Sequence, residues 1–130
     1  MNNRIQRGNV AELLVASEIS KLGYVVCFPV SHNSHYDLVV DTGSKMIRVQ
    51  IKRSYKVNSH GKNVSCVEGR RFSGGNSSRY PDNSYDTMIA CDVDTNEFWI
   101  IPYSVASKYK AQIYLETEDK SRFKNDWTLL

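Results

Sequence analysis

The stretch YDLVVDTGSKMIRVQIKR, residues 36–53, constrains this chain more than any other. Leu38, Val39 and Val40 precede Asp41, Thr42, Gly43 and Ser44; Met46, Ile47, Val49 and Ile51 follow. Two apolar runs around a turn-forming cluster predict a β-hairpin. In the second run Ile47, Val49 and Ile51 alternate with Arg48, Gln50 and Lys52, and alternate residues of a strand point to opposite faces. Gln50 and Lys52 therefore emerge side by side, ~7 Å apart. Pairing of the hairpin brings Asp37 near them. An acid, an amide and an amine on one sheet face have the chemistry to hold a divalent cation and polarise a phosphodiester. A solvated strand face is the other reading of the same pattern.

The length of 130 residues suits one domain, residues 1–130, with one core and no obvious linker. Hydrophobic residues make up 41% and charged residues 24%, a balance that argues against disorder. No apolar run approaches a membrane span, and the opening MNNRIQRGN lacks the features of a signal peptide. A cytoplasmic protein with no membrane partner is expected. Cys27, Cys66 and Cys91 match no zinc or redox spacing, and Cys27 and Cys91 sit in apolar runs; they read as reduced core thiols. The net charge of +3 says little about nucleic acid; its distribution says more.

Residues 5–22 predict a helix closed by Gly23, with Val10, Ala11, Leu14, Val15, Ile19 and Leu22 as its apolar stripe. Glu12 falls at the edge of that stripe and Glu18 near its middle. A carboxylate facing a core is costly unless paired or coordinated, and periodicity does not choose between the two acids. Residues 24–30 predict a short buried strand ended by Pro29, followed by a polar loop over residues 31–35. His32 and His35 in that loop have no third ligand at zinc spacing.

After the hairpin, residues 53–80 carry Arg53, Lys56, Lys62, Arg70, Arg71 and Arg79 against the single acid Glu68. Tyr55, Phe72 and Tyr80 are interleaved with glycines, and Val57, Val64, Cys66 and Val67 predict a further hairpin. A basic, glycine-rich excursion suits contact with a phosphate backbone. Residues 85–91 and 97–102 predict two more strands around a turn at 92–96. Residues 104–109 predict a short helix with Ser104 as its cap and 112–115 an edge strand, and Trp127 and Leu129 are expected to tuck a polar tail against the core. The role of residues 104–130 is otherwise unassigned.

Glu12 on a helix, Asp37, and then Gln50, Ile51 and Lys52 together resemble the PD-(D/E)XK nuclease superfamily. The run GNVAELLVASEISKLGYVVCFPV, the hairpin, and YPDNSYDTMIACDVDTNEFWIIP resemble its small group I intron-associated homing endonucleases; archaeal Holliday junction resolvases are more distantly similar, with Ser31 or Ser34 ahead of the motif acid. The likeness covers residues 7–103. It departs at Tyr36, where the motif has proline, and at Gln50, where glutamate is commoner.

The resemblance implies an α/β fold, a restriction-endonuclease-like core with a central mixed sheet flanked by helices. It selects Glu12 over Glu18 as the helix acid. It implies that Asp37, Gln50, the Ile51 backbone carbonyl and Glu12 hold Mg²⁺, with Mn²⁺ able to substitute, and that Lys52 serves the attacking water. The expected function is metal-dependent cleavage of double-stranded DNA, sequence-specific and of homing type, by a homodimer or a dimer of dimers. Arg53, Lys56, Lys62, Arg70, Arg71 and Arg79 are the expected DNA contacts, Lys56 on phosphate and Arg70 and Arg71 furthest out on base edges. A structure-selective junction nuclease and a non-catalytic DNA-binding module are the alternatives.

Overall fold

The computed structural model describes residues 4–31, 33–73 and 76–130. Helix α1 (Arg4–Lys21) buries Ala11, Val15 and Ile19 and ends where Leu22 N–H donates to Ile19 and Gly23 N–H to Ser20. The buried stripe is narrower than predicted. Leu22 is exposed, and Glu18 turns outward to Lys21 at 3.2 Å, the commoner outcome for an acid near a helix's apolar edge.

Strands β1 (Val25–Cys27), β2 (Leu38–Asp41) and β3 (Met46–Arg53) come next, followed by β4 (Tyr55–Ser59), β5 (Lys62–Glu68), β6 (Arg71–Ser73) and β7 (Asn76–Ser78). After these come β8 (Thr87–Asp92), β9 (Glu97–Pro102), helix α2 (Tyr103–Ala106) and β10 (Gln112–Tyr114). The central sheet has the order β1-β2-β3-β8-β9. Its β3–β8 pair is parallel and its other pairs antiparallel, so the sheet is mixed. The predicted hairpin pairs Leu38 with Val49 and Val40 with Ile47. Its turn rests on Gly43 at φ +91°, a conformation that glycine takes without strain, and on Asp41 Oδ1, which accepts the Gly43 N–H at 2.8 Å.

Helix α1 covers one sheet face, where Val40, Val49, Ile51, Ile89 and Ile100 are buried with its apolar stripe. On the other face Met88, Ala90, Trp99 and Ile101 are buried with Val67, Ala106, Ile113 and Phe123. Every residue of β8 is buried, as a strand covered on both faces requires. The excursion folds into a second sheet, β10-β5-β4, and a ribbon, β6–β7. Gly69 joins them where a Cβ would stand 2.7 Å from the Ala111 carbonyl oxygen, so this close approach requires glycine.

Several expectations change. Strand β1 is short and exposed, because it is the edge of the sheet, and Cys27 is exposed with it. Cys66 and Cys91 are buried thiols, and burial pushes Cys91 up to about 12. Helix α2 starts at Tyr103 after Pro102, so Ser104 already lies inside the first turn and caps nothing. In the tail the Trp127 ring packs tilted against Phe98, with 5.3 Å between centroids, and Leu130 is also packed on the core, whereas Leu129 is exposed. Two 3₁₀ turns, Glu118–Phe123 and Trp127–Leu129, carry the tail back over β9, and Asn125 exchanges two hydrogen bonds with Phe98. Lys120, unremarked in the sequence, is 3% exposed, with its ammonium 4.6 Å from the Tyr109 ring centroid and 2.9 Å from Asp119. Among the described residues no helix is long and apolar enough to cross a membrane.

Candidate active site

Asp37 stands one residue before β2, and its N–H donates to the Val49 carbonyl at 2.8 Å, extending the hairpin ladder by one step. Its carboxylate therefore lies over β3. Asp37 Oδ2 accepts the Ile51 N–H at 2.6 Å and Gln50 Nε2 at 2.8 Å, and the same Nε2 donates to the Ile51 carbonyl at 3.2 Å. Gln50 is 8% exposed. The face it shares with Lys52 is thus not a solvated one.

Helix α1 delivers Glu12 to the same place. Glu12 and Asp37 line an open cleft with Phe28, Pro29, Ser34 and Tyr36. Burial raises the pKa of Glu12, and the Asp37 charge raises it further. Burial also raises Asp37, against the opposing Ile51 N–H bond and Lys52 charge. Two carboxylates that resist being charged together are relieved by a cation between them.

Lys52 projects from the next position on the same face. Its Nζ donates to the Arg70 carbonyl at 2.9 Å and lies 5.0 Å from the Tyr80 ring centroid. Burial pulls its pKa down to about 8, although Asp37 and Glu68 act in the opposite direction. Tyr80 is held in turn by edge contacts with His35 at 6.4 Å and Tyr85 at 5.4 Å. Burial raises its pKa, as does the Asp37 charge.

The donor set fits a hard cation of the magnesium type. The Glu12 and Asp37 carboxylates and the Ile51 carbonyl are oxygen donors, and the Gln50 amide could add a fourth with less charge than a glutamate at position 50 would give. Among the described residues no group of three His, Cys, Asp or Glu gathers. His32 lies outside the described residues. His35 Nδ1 is buried and has no hydrogen-bond partner among them.

The fold brings Glu12, Asp37, Gln50, Ile51 and Lys52 together; it does not gather the six basic residues of the excursion. Arg53 borders a separate cleft with Arg7, Ser54, Lys56, Asp92 and Asp94. The Lys56 ammonium is engaged by Ser65 Oγ at 2.6 Å and Glu116 at 3.0 Å. Lys62 is exposed at the start of β5, and Arg79 is exposed just after β7. Arg70 is not furthest out, as the sequence suggested. It sits at the base of the ribbon, with its carbonyl on Lys52 and its Nε buried and unpartnered among the described residues. Arg71, half-buried, opens β6 beside it, and Gly74 and Gly75 lie outside the described residues. The Tyr80 ring and the Arg70 carbonyl are what sequence reasoning missed. The one cue to Tyr80 is that Pro81 follows it, which holds the chain extended where the excursion returns.

Comparisons with known proteins agree with this geometry. A profile of the family described as PD-(D/E)XK endonuclease matches residues 1–128, so the likeness extends through the tail rather than stopping at residue 103. Protein 5.3 of Escherichia phage T7 is 35% identical over 94 residues, which are 72% of this chain and 76% of that protein. The structure of a bacterial homing endonuclease, I-Ssp6803I, superposes with a TM-score of 0.83 at 25% identity, covering 98% of this chain and 93% of the other. With its motif residues assembled on this core, the chain belongs to the PD-(D/E)XK endonuclease family.

Proposed function

We propose that this nuclease is a Mg²⁺-dependent endonuclease that cuts both strands of a specific DNA duplex, in the manner of a homing enzyme. The observation that carries the reading is the meeting of Glu12 and Asp37 in one cleft, with Gln50 and Ile51 hydrogen-bonded to Asp37 and the Lys52 charge acting on it. Asp37, the Ile51 carbonyl and the Gln50 amide oxygen would hold the cation, joined by Glu12 directly or through water, and Mn²⁺ would substitute. The bound cation supplies the charge that polarises the scissile phosphate. Lys52 orients the attacking water and offsets negative charge on the phosphate as it becomes pentavalent. Two such centres are needed for two strands, so the active species is a two-fold dimer or a dimer of dimers. Arg71, Arg79 and Lys62 are the contacts of the excursion with duplex phosphates or bases.

Incubation with a library of linear duplexes and Mg²⁺, followed by sequencing of the cut ends, tests the reading. The expected result is a discrete cut at one sequence, lost in Asp37→Asn. Cleavage confined to four-way junctions would make the enzyme a junction nuclease. Duplex binding with no cutting in Mg²⁺ or Mn²⁺ would leave a DNA-binding module.

A further inference from the structure

The geometry points to a second role for Gln50: its amide nitrogen, bonded to Asp37 and the Ile51 carbonyl, competes with a cation for those two oxygens, so that cation binding would require the amide to turn over. The inference rests on the cation site described under Proposed function. Gln50 Nε2 reaches Asp37 Oδ2 at 2.8 Å and the Ile51 carbonyl at 3.2 Å. These are two of the oxygens assigned to the cation, and an amide NH₂ has two hydrogens, one for each.

Turned over, the amide would set Oε1 against the same two acceptors with no hydrogen between them. Gln50 is 8% exposed, so little water can intervene. Buried polar groups facing each other without a donor are strongly disfavoured. Without a cation, only the nitrogen-inward setting is satisfied. With a cation, only the oxygen-inward setting is. The amide is therefore a two-state element whose setting follows occupancy.

Glutamate at this position has no equivalent of the nitrogen-inward setting. It would add a third carboxylate beside Asp37 and Glu12, and without a bound cation the three charges would repel. Gln50 lets the centre stay assembled without metal, and the same two hydrogen bonds must be given up when metal enters.

The test is nuclear magnetic resonance of the ¹⁵N-labelled full chain, with Mg²⁺ alone as probe and no DNA. Without Mg²⁺, the Gln50 side-chain amide protons are expected to exchange about tenfold more slowly than those of exposed Gln6, the factor equivalent to ~1.4 kcal/mol. Saturating Mg²⁺ is expected to move that resonance and abolish the protection. In parallel melts, Gln50→Glu is expected to have a lower Tm than the natural chain without Mg²⁺ and to gain more from its addition. Exchange as fast as that of Gln6 without Mg²⁺ overturns the inference. So does an unmoved Gln50 amide while Asp37 and Glu12 respond to Mg²⁺, or an equal Tm for Gln50→Glu in its absence. If Mg²⁺ perturbs none of the three residues, the cation site itself is overturned and the displacement falls with it.

Discussion

Asp37 lines the cleft and the Lys52 charge acts on it from the neighbouring strand, so each is expected to fail differently from a surface residue. Lys52→Ala and Asp37→Asn should each lower the cleavage rate by about 10²–10³-fold, the usual cost of one transition-state charge partner at ~2.7–4 kcal/mol, while gel shifts still report duplex binding. A lysine that offsets phosphate charge must be protonated. With its pKa lowered to about 8, the cleavage rate should fall as pH rises through that value. A rate that rises there instead would make Lys52 a base. Gln50→Glu should tighten apparent Mg²⁺ affinity in a metal titration, since it adds a charged ligand and removes the competing amide hydrogen bonds. The Asp37, Gln50 and Lys52 cluster was legible in the sequence because hairpin pairing and a period of two fix which side chains share a face. Glu12 was legible only as one of two acids, for helical periodicity puts both at the apolar margin. The Arg70 carbonyl was not legible at all: it meets Lys52 from 18 residues away, through a main-chain atom that every residue possesses.

Among the elements, the parallel joint between β3 and β8 is where a small ion pair has most leverage. Asp86 Oδ2 accepts the Arg48 N–H at 2.8 Å and its Nε at 3.1 Å, Oδ1 accepts Nη2 at 3.0 Å, and Asp86 N–H donates to the Arg48 carbonyl at 2.9 Å. This clasp sets the register in which Val49 stands opposite Thr87. Asp86→Ala should cost about 1–2 kcal/mol, most of it from the backbone bond, because a partly exposed ion pair adds little. The denaturation midpoint should fall with an unchanged slope. The Arg48 hydrogen bonds hold the Asp86 carboxyl below its ordinary pKa of 3.8. Its stabilisation is therefore fully present above that value and is lost as pH falls through the lower folded one; Asp86→Asn should remove this acid dependence. Strands β3, β8 and β9 matched their sequence patterns because each is six to eight residues long and either alternates or is largely apolar, and the short β2 matched because its turn residues fix the hairpin. Strand β1 did not, since an apolar run reads the same at a sheet edge as at its centre. Helix α2 is too short for periodicity to find its ends.

For the whole molecule, DNA binding is the property that individual contacts do not decide alone. Arg71→Ala and Arg79→Ala should each lower the slope of log K against log salt by about 1 if they bind phosphate, or cost ~1–3 kcal/mol at one base pair if they read it. Lys56→Ala should change the slope less, because Glu116 already neutralises its ammonium. Unchanged isotherms for Arg71→Ala, Arg79→Ala and Lys62→Ala would mean the excursion does not hold DNA. The same excursion also bears on the chemistry. The ammonium of Lys52 is tethered to the main chain at the ribbon's base, next to a glycine with no room for a methyl group. Gly69→Ala must move that backbone, so it should slow cleavage although residue 69 contributes no side chain to the site. Removing the Arg70 side chain leaves its carbonyl where it was. An alanine scan across this ribbon would therefore report on its side chains alone and pass silently over the main-chain bond to Lys52. Replacing the amide between residues 70 and 71 with an ester, which weakens the carbonyl as an acceptor and changes nothing else at Lys52, would expose it.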